Sequence, residues 1–255
     1  MVGPEAILSI FLIAVSPFIG SFLANFAVRW PEGESVAAGR SRCRSCGQTL
    51  GPLDLVPLAS WLMSRGTCRY CGAPVSAVYP LTETLAFLLS LWAVMAGPIA
   101  LAPVSMLLGW VLLTLAVVDA RSFLLPDRLT LPLIPAGLVV DWAMGGIDLL
   151  MSGMLGALLG GGLSACIAIF YQRFRKRAGL GWGDVKLLAG AGAWTGVSGV
   201  PAVLFLGACL GLLVVAVMRF GCREISRTTP LPFGPFLAAA FWIVWLHGPI
   251  IQILQ

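Results

Sequence analysis

The chain has 255 residues, of which 59% are hydrophobic and 11% are charged, and its mean hydropathy is +0.95. Soluble domains have about half apolar and about a quarter charged residues, so these values exclude a soluble fold and indicate an integral membrane protein. The net charge of +5 does not indicate nucleic-acid binding, because basic residues in a membrane protein mainly set its orientation. No cleavable signal peptide is predicted, since the first apolar stretch lacks a basic leading region and is long enough to remain as a span.

Apolar runs predict an all-α membrane protein with about eight transmembrane helices. A helical span needs about 20 residues, so the two short runs, 129–145 and 186–197, are expected to be tilted, broken or half-buried. Glycine-rich runs at 156–163 and 187–194 favour close packing between helices. The predicted spans lie at residues 7–28, 80–97, 101–119, 129–145, 149–171, 186–197, 201–219 and 233–253.

One large polar segment, residues 29–79, separates the first predicted span from the others. We interpret 1–28 as a first transmembrane helix, 29–79 as a small inserted domain outside the membrane, and 80–255 as the membrane core. When the N-terminus is placed outside and eight spans alternate, all 16 Lys and Arg fall on the inner side. The positive-inside rule therefore predicts a cytoplasmic inserted domain and two outer termini.

Four of the seven cysteines form two C-x-x-C pairs, Cys43/Cys46 and Cys68/Cys71. This spacing is typical of a zinc ribbon, in which two turns aim four thiolates at one point. Thiolate ligands favour zinc over magnesium or calcium, and the reducing cytoplasm disfavours disulfides. A site with four thiolates is closed, so we expect a structural zinc ion that folds the inserted domain, with redox or incidental cysteines as the alternative.

Two acidic residues at the inner ends of predicted spans are candidates for catalysis. Asp119 ends the third span and Asp184 begins the sixth. Ionisable residues at such positions are energetically expensive, which makes them functional candidates. Two carboxyl groups that face one water can hydrolyse an amide, because the ionised group takes a proton from water while the protonated group binds the carbonyl oxygen.

The same residues also have structural interpretations. Asp127 could cap the helix that begins near it, and Asp184 could cap the short sixth span. Asp119 could pair with Arg121 or Lys186. We expect three acidic residues at the outer ends of spans to be solvated: Glu5, Asp141 and Asp148.

Five stretches, in this order, resemble the type IV prepilin peptidase family, also called leader peptidase/N-methyltransferase. GSFLANFAVRWP resembles the family's GSFLNVVIxRLP, with Asn25 displaced by one position. Residues 40–83 follow the family's zinc loop, with CRSC where many members have CPxC. VVDARSFLLPDRLTLP matches the segment of the first catalytic aspartate, which maps to Asp119 and not to Asp127. GWGDVKL matches the GxGD motif and maps the second to Asp184, and LPFGPFLA matches a further signature.

The resemblance implies two activities at the bacterial inner membrane. One cleaves the leader of prepilins or pseudopilins on the cytoplasmic side, and the other methylates the new N-terminal amine with S-adenosylmethionine. Members without the cysteine loop are generally treated as peptidases only, so we expect both activities here, with a peptidase alone as the alternative. Four residues are candidates for the methyl-donor site, although each could equally be an ion-pair or capping residue: Glu83, Asn25, Arg29 and Asp54. The expected partners are prepilins or pseudopilins and the lipid bilayer, with no nucleic acid.

Two other classes share part of this pattern. An intramembrane protease of the presenilin or signal-peptide-peptidase type has GxGD, but it lacks the double C-x-x-C loop and has a YD motif where Val118 precedes Asp119 here. A transporter or assembly scaffold with a zinc-stabilised loop would line a path with its acidic residues instead of clustering them. His247 is the only histidine, which argues against Ser-His, Cys-His and HExxH chemistry.

Overall fold

A computed structural model describes residues 3–34, 40–175, 180–220 and 231–248 of the chain. These residues form seven α-helices and three 3₁₀ helices, with two isolated bridges as their only β pairing. The α-helices are α1 (Pro4–Arg29), α2 (Ala59–Met63), α3 (Val78–Ala96), α4 (Ala102–Ser122), α5 (Asp127–Arg175), α6 (Trp182–Phe220) and α7 (Gly234–His247). The 3₁₀ helices are Trp30–Glu32, Pro52–Leu55 and Ile99–Leu101. The predicted all-α fold is confirmed.

The two longest helices are each interrupted at glycine. α5 leaves helical geometry at Gly145–Gly146, and α6 leaves it at Gly196, where φ is 68°. Glycine adopts such a backbone without strain. Gly160 of α5 lies against both Leu188 and Val200 of α6, which a straight helix would hold about 18 Å apart. The chain of α6 therefore folds back at its interruption.

Five helical segments in the described residues are long and apolar enough to cross a membrane, and α7 is a shorter apolar helix. Counting α5 and α6 as two helices each gives eight apolar helices, as predicted. The chain is therefore a multi-pass membrane protein. The described residues leave out part of the chain between the fifth and sixth predicted spans, part of the chain between the seventh and eighth, and the end of the eighth.

The chain divides into two compact units, residues 1–117 and 118–255, with the boundary inside α4. In the first unit α1 packs against α3, and the Trp110 Nε1–H donates to Ser90 Oγ over 3.0 Å. Hydroxyl groups in these helices donate to carbonyls one turn earlier, as Thr82 does to Val78 over 2.7 Å. This pairing satisfies polar groups in an apolar surrounding. The predicted functional division at residues 28 and 79 stays a prediction.

In the second unit, α6 packs against both α5 and α7. The Trp194 Nε1–H donates to the Leu133 carbonyl over 2.7 Å, and so joins α6 to α5. Gly207 lies against Leu237, and so brings α6 close to α7. This packing sets the positions at which α6 and α7 begin, and both starts contribute to the candidate site.

One prediction about an acidic residue is wrong. Asp141, expected as a solvated end, is only 7% exposed. Its carboxyl group lies against Gly153, which also lies close to the Ala193 carbonyl. The chain of α5 folds back after Gly145–Gly146 and covers Asp141, which no local sequence pattern indicates.

Candidate catalytic and metal sites

Asp119 lies in the last turn of α4 and is 6% exposed. Its Oδ2 accepts a hydrogen bond of 3.0 Å from the backbone N–H of Gly234, the first residue of α7. A helix N-terminus offers unpaired N–H groups and a partial positive charge, so it stabilises a carboxylate placed there. A Cβ at position 234 would lie 2.7 Å from the same oxygen, so glycine permits this close approach.

Asp184 is the third residue of α6 and is 9% exposed. Gly181, just before the helix, places its backbone N–H beside this carboxylate. Gly183 packs so closely against Leu125 that an added Cβ would lie 2.7 Å from the leucine side chain. The connection between α4 and α5 is thereby held against the start of α6, beside Asp184.

The structure brings Asp119 and Asp184 close enough to repel each other electrostatically. Both residues belong to the second compact unit. Within the described residues, neither carboxylate forms a salt bridge with Lys or Arg. Two buried carboxyl groups that repel each other can share one proton, as two-carboxylate hydrolysis requires.

Asp127 has different surroundings. Its side chain is 58% exposed, and its Oδ1 lies 2.6 Å from Lys186 Nζ. The sequence analysis named Lys186 as a possible partner of Asp119, but in the structure Lys186 is paired with Asp127. Exposed ion pairs of this kind contribute about 0–1 kcal/mol to stability. The geometry thus separates Asp127 from the buried pair.

Exposed apolar side chains flank both buried aspartates along the chain. Phe123 and Leu124 follow α4 immediately after the turn that holds Asp119. Trp182 begins α6, two residues before Asp184, and is also exposed. At the edge of a membrane core, such side chains contact lipid or another apolar molecule.

The two C-x-x-C pairs form matching turns in the first unit. The Cys43 carbonyl accepts from the Gly47 N–H over 2.9 Å, and the Cys68 carbonyl accepts from the Gly72 N–H over 2.8 Å. All four cysteine sulfurs lie within 4.8 Å of one another, and the Cys43 and Cys71 sulfurs are 3.8 Å apart. Tetrahedral zinc with Zn–S bonds of about 2.3 Å places its sulfurs about 3.8 Å apart. A disulfide needs a separation of about 2.05 Å, and the four cysteines are free.

The crowding of these thiols supports a cation at their centre. Backbone N–H groups of Cys46 and Ser45 lower the pKa of Cys43 to about 6. At Cys71 the Ala73 N–H lowers the pKa, but desolvation and the three neighbouring cysteines raise it to about 12. Four adjacent thiols cannot all lose their protons without a positive charge between them. The cluster could therefore hold a metal ion such as zinc.

Three of the four methyl-donor candidates lie around the cysteine turns and the end of α1. Asp54 is paired with Arg69 at 3.5 Å, and Arg29 faces Glu34 at 4.0 Å. Asn25 is half-buried on α1. Asp54 and Arg29 are thus engaged by charged groups of the chain itself, as the structural alternative anticipated.

Glu83, the fourth candidate, is buried in the second turn of α3. Its Oε2 accepts a hydrogen bond of 2.7 Å from the backbone N–H of Leu58. Gly20 of α1 packs directly on the backbone of Glu83, where an added Cβ would lie 2.7 Å from its Cα. Glu83 therefore joins α1, α3 and the segment between the two cysteine turns.

Comparisons with known proteins agree with this geometry. The model of the bacterial peptidase A24 N-terminal domain matches residues 14–96, and the model of the type IV leader peptidase family matches residues 106–216. A prepilin leader peptidase/N-methyltransferase from Aeromonas hydrophila is 41% identical over 217 residues, covering 82% of this chain and 72% of the relative. The chain belongs to the type IV leader peptidase family. Relatives of the same name from Dichelobacter nodosus and Burkholderia pseudomallei are 37% and 38% identical, over 82% of this chain and 71% and 67% of theirs.

No solved structure matches the chain. The predicted resemblance to the type IV leader peptidase family is confirmed. Asp119 and Asp184 both fall within the stretch that matches the type IV leader peptidase model, and all four clustered cysteines fall within the stretch that matches the N-terminal domain.

Sequence reasoning missed the role of Gly234. Residues 231–238 (LPFGPFLA) contribute to the resemblance to the type IV leader peptidase family, but that resemblance assigns no physical role to Gly234. In the structure this glycine begins α7 and donates to Asp119. A signal was present, because a glycine followed by Pro235 at the start of an apolar run marks a helix N-terminus, and such an end attracts a carboxylate.

Proposed function

We propose that this protein is a prepilin leader peptidase and N-methyltransferase that uses Asp119 and Asp184 for cleavage. The observation that carries the peptidase assignment is the buried pair of mutually repelling carboxyl groups, of which Asp119 accepts the Gly234 N–H and Asp184 lies beside the Gly181 N–H. The name shared by the curated relatives supports both activities. Membership of the type IV leader peptidase family supports a peptide bond as the reacting group.

The two carboxyl groups divide the work of amide hydrolysis. Close like charges cannot both persist, so the pair shares one proton. The ionised carboxylate takes a proton from water, and the water oxygen attacks the scissile carbonyl carbon. The protonated group donates a hydrogen bond to the carbonyl oxygen and stabilises the negative charge that develops there. When the C–N bond breaks, the leaving amine receives a proton from the pair.

The substrate is a prepilin or pseudopilin, which has a basic leader followed by an apolar helix. Phe123, Leu124 and Trp182 are exposed beside the aspartates and suit the start of that helix. The distribution of Lys and Arg supports an orientation in which the cysteine segment and the aspartates face the cytoplasm of the bacterial inner membrane. The scissile bond, at the boundary between leader and apolar helix, arrives at the same membrane edge.

A zinc ion held by Cys43, Cys46, Cys68 and Cys71 has a structural role, because four thiolates leave no open position for a substrate. The spacing of the sulfurs fits this ion. Methylation uses S-adenosylmethionine as the methyl donor. Four residues stay the candidates for the donor site: Asn25, Arg29, Asp54 and Glu83. In the structure Arg29, Asp54 and Glu83 each contact another group of the chain.

The deciding experiment is cleavage of a purified prepilin by the full-length protein in lipid nanodiscs, followed by the change from precursor to mature size. Asp119→Asn and Asp184→Asn should each abolish the change, because each removes one half of the acid–base pair. Asp127→Asn is the matched control and should cleave normally, since Asp127 is exposed and paired with Lys186. Normal cleavage by either Asp119→Asn or Asp184→Asn would refute the assignment. Mass spectrometry of the mature N-terminus tests methylation separately.

A further inference from the structure

The segment between the two cysteine turns exposes an unusual amount of apolar surface. Leu53, Leu62 and Met63 are 73%, 66% and 81% exposed. Leu55 and Val56, between them in the chain, are also exposed. We call these five residues the interknuckle surface. Isolated exposed apolar residues are ordinary, whereas a contiguous group indicates a surface that contacts something apolar.

A hydrogen bond fixes the position of this segment along the axes of the membrane-spanning helices α1 and α3. The Leu58 N–H, at the centre of the segment, donates to Glu83 Oε2 over 2.7 Å. Glu83 lies five residues inside α3, which corresponds to about 7.5 Å along the helix axis. Gly20 packs on Glu83 from α1, nine residues or about 13.5 Å before the helix ends at Arg29. Along the helix axes, Leu58 therefore lies at the height of the first two turns of α3 and does not lie beyond the C-terminal end of α1.

The backbone at Leu58 is held in a strained conformation at this point. Its φ of 61° and ψ of −53° place it at the centre of a γ-turn, which the Ala59 N–H closes by donating to the Pro57 carbonyl over 2.6 Å. In this strained turn the Leu58 N–H reaches the buried Glu83. The hydrogen bond to Glu83 fixes the segment beside α3.

The short helix α2 faces the second cysteine turn with one side only. The Trp61 ring packs on Gly66, where an added Cβ would lie 2.8 Å from the ring, and its Nε1–H donates to the Val75 carbonyl over 3.3 Å. Successive helical residues point about 100° apart, so Leu62 and Met63 are directed away from that contact. Their high exposure agrees with this direction. One side of α2 therefore packs on the second cysteine turn, and the side that carries Leu62 and Met63 is exposed.

We propose that the interknuckle surface inserts into the interfacial layer of the lipid bilayer beside α1 and α3. The occupant is lipid because the surface is apolar, lies level with the ends of two membrane-spanning helices and continues directly from Glu83 within one of them. Apolar side chains next to tryptophan and basic residues are typical of elements that lie in this layer. Arg65, which is exposed, follows α2 and suits the headgroups. The proposal does not depend on either enzymatic activity.

Site-specific photocrosslinking in the full-length protein tests this contact. A diazirine-bearing amino acid replaces Met63 or Leu62, and the protein is reconstituted into nanodiscs of phosphatidylethanolamine and phosphatidylglycerol that carry an alkyne on the acyl chain. Leu212, exposed on α6, is the matched positive control for a lipid contact. Gln48, exposed in the first cysteine turn, is the control for a position in water. Bound zinc per chain verifies that each variant is folded.

Lipid adducts at positions 62 and 63 should match those at 212 and exceed those at 48 several-fold. Labelling of 62 and 63 at the level of position 48 would overturn the proposal. Crosslinks from these positions to another copy of the chain, or to residues 118–255 of the same chain, would also overturn it, because the surface would then be a protein contact. If the variant at position 63 loses zinc, Leu53 provides a third position for the same comparison.

Discussion

Replacing Gly234 by alanine tests whether the start of α7 holds the Asp119 carboxylate. The added methyl group would lie 2.7 Å from Asp119 Oδ2, whereas ordinary contact begins at 3.4 Å. The carboxylate must therefore move by about 0.7 Å, and the 3.0 Å hydrogen bond from the Gly234 N–H is weakened or lost. A hydrogen bond to a charged group contributes about 1.5–3 kcal/mol, which corresponds to a roughly ten- to hundredfold fall in cleavage rate.

The assay is the initial rate of prepilin cleavage by purified protein in nanodiscs. Gly162→Ala is the matched control, because it makes the same change in a helix where nothing lies within 4 Å of the new methyl group. Methylation of a substrate that is already cleaved should be unchanged in both variants, which separates a local defect at Asp119 from general unfolding. A Gly234→Ala protein that cleaves at the rate of Gly162→Ala would refute the role given to this contact.

Three further changes have defined outcomes. Cys71→Ser should lower bound zinc, measured by metal analysis, because it removes one of four ligands, and an unchanged zinc content would contradict the metal site. Glu83→Ala should lower stability to unfolding by about 1–3 kcal/mol, because the Leu58 N–H loses its acceptor, whereas Glu83→Gln keeps an acceptor oxygen and should lose less. Equal losses in the two variants would argue against the hydrogen bond. Gly183→Ala should slow cleavage, since its methyl group would displace Leu125 beside Asp184, and a normal rate would show that this packing does not position the site.

The sequence predicted the parts of the site that depend on local pattern. The spacing of the cysteine pairs indicated one four-sulfur cluster, and the structure places all four sulfurs together. The apolar runs at 129–145 and 186–197 were predicted as spans separate from the runs that follow them, and α5 and α6 are interrupted where those runs end. Each of these features arises within a few consecutive residues, so a single sequence contains the information.

Other features depend on contacts between distant parts of the chain. Asp141 sits at the end of an apolar run, as a solvated residue would, and it is buried only because α5 folds back over it. The hydrogen bond between Leu58 and Glu83 also could not be predicted, because no local sequence pattern at either residue indicates the other. Such contacts follow from packing, which residue spacing does not encode.

The way in which carboxylates are neutralised separates the buried candidate catalytic aspartates from the exposed Asp127. Of the four buried carboxylates in the described residues, Asp119 and Glu83 each accept a backbone N–H, from Gly234 and Leu58, and Asp184 lies beside the Gly181 N–H. The exposed Asp127, in contrast, is paired with Lys186. A cation would neutralise a carboxylate and occupy its lone pairs, whereas a single N–H leaves lone pairs free to bind water or a shared proton. A Lys or Arg partner is therefore not the feature that identifies a candidate catalytic aspartate. Glycine-bearing helix starts such as those of α6 and α7 are the better signal, because they bring backbone donors to a buried acid without adding a charge.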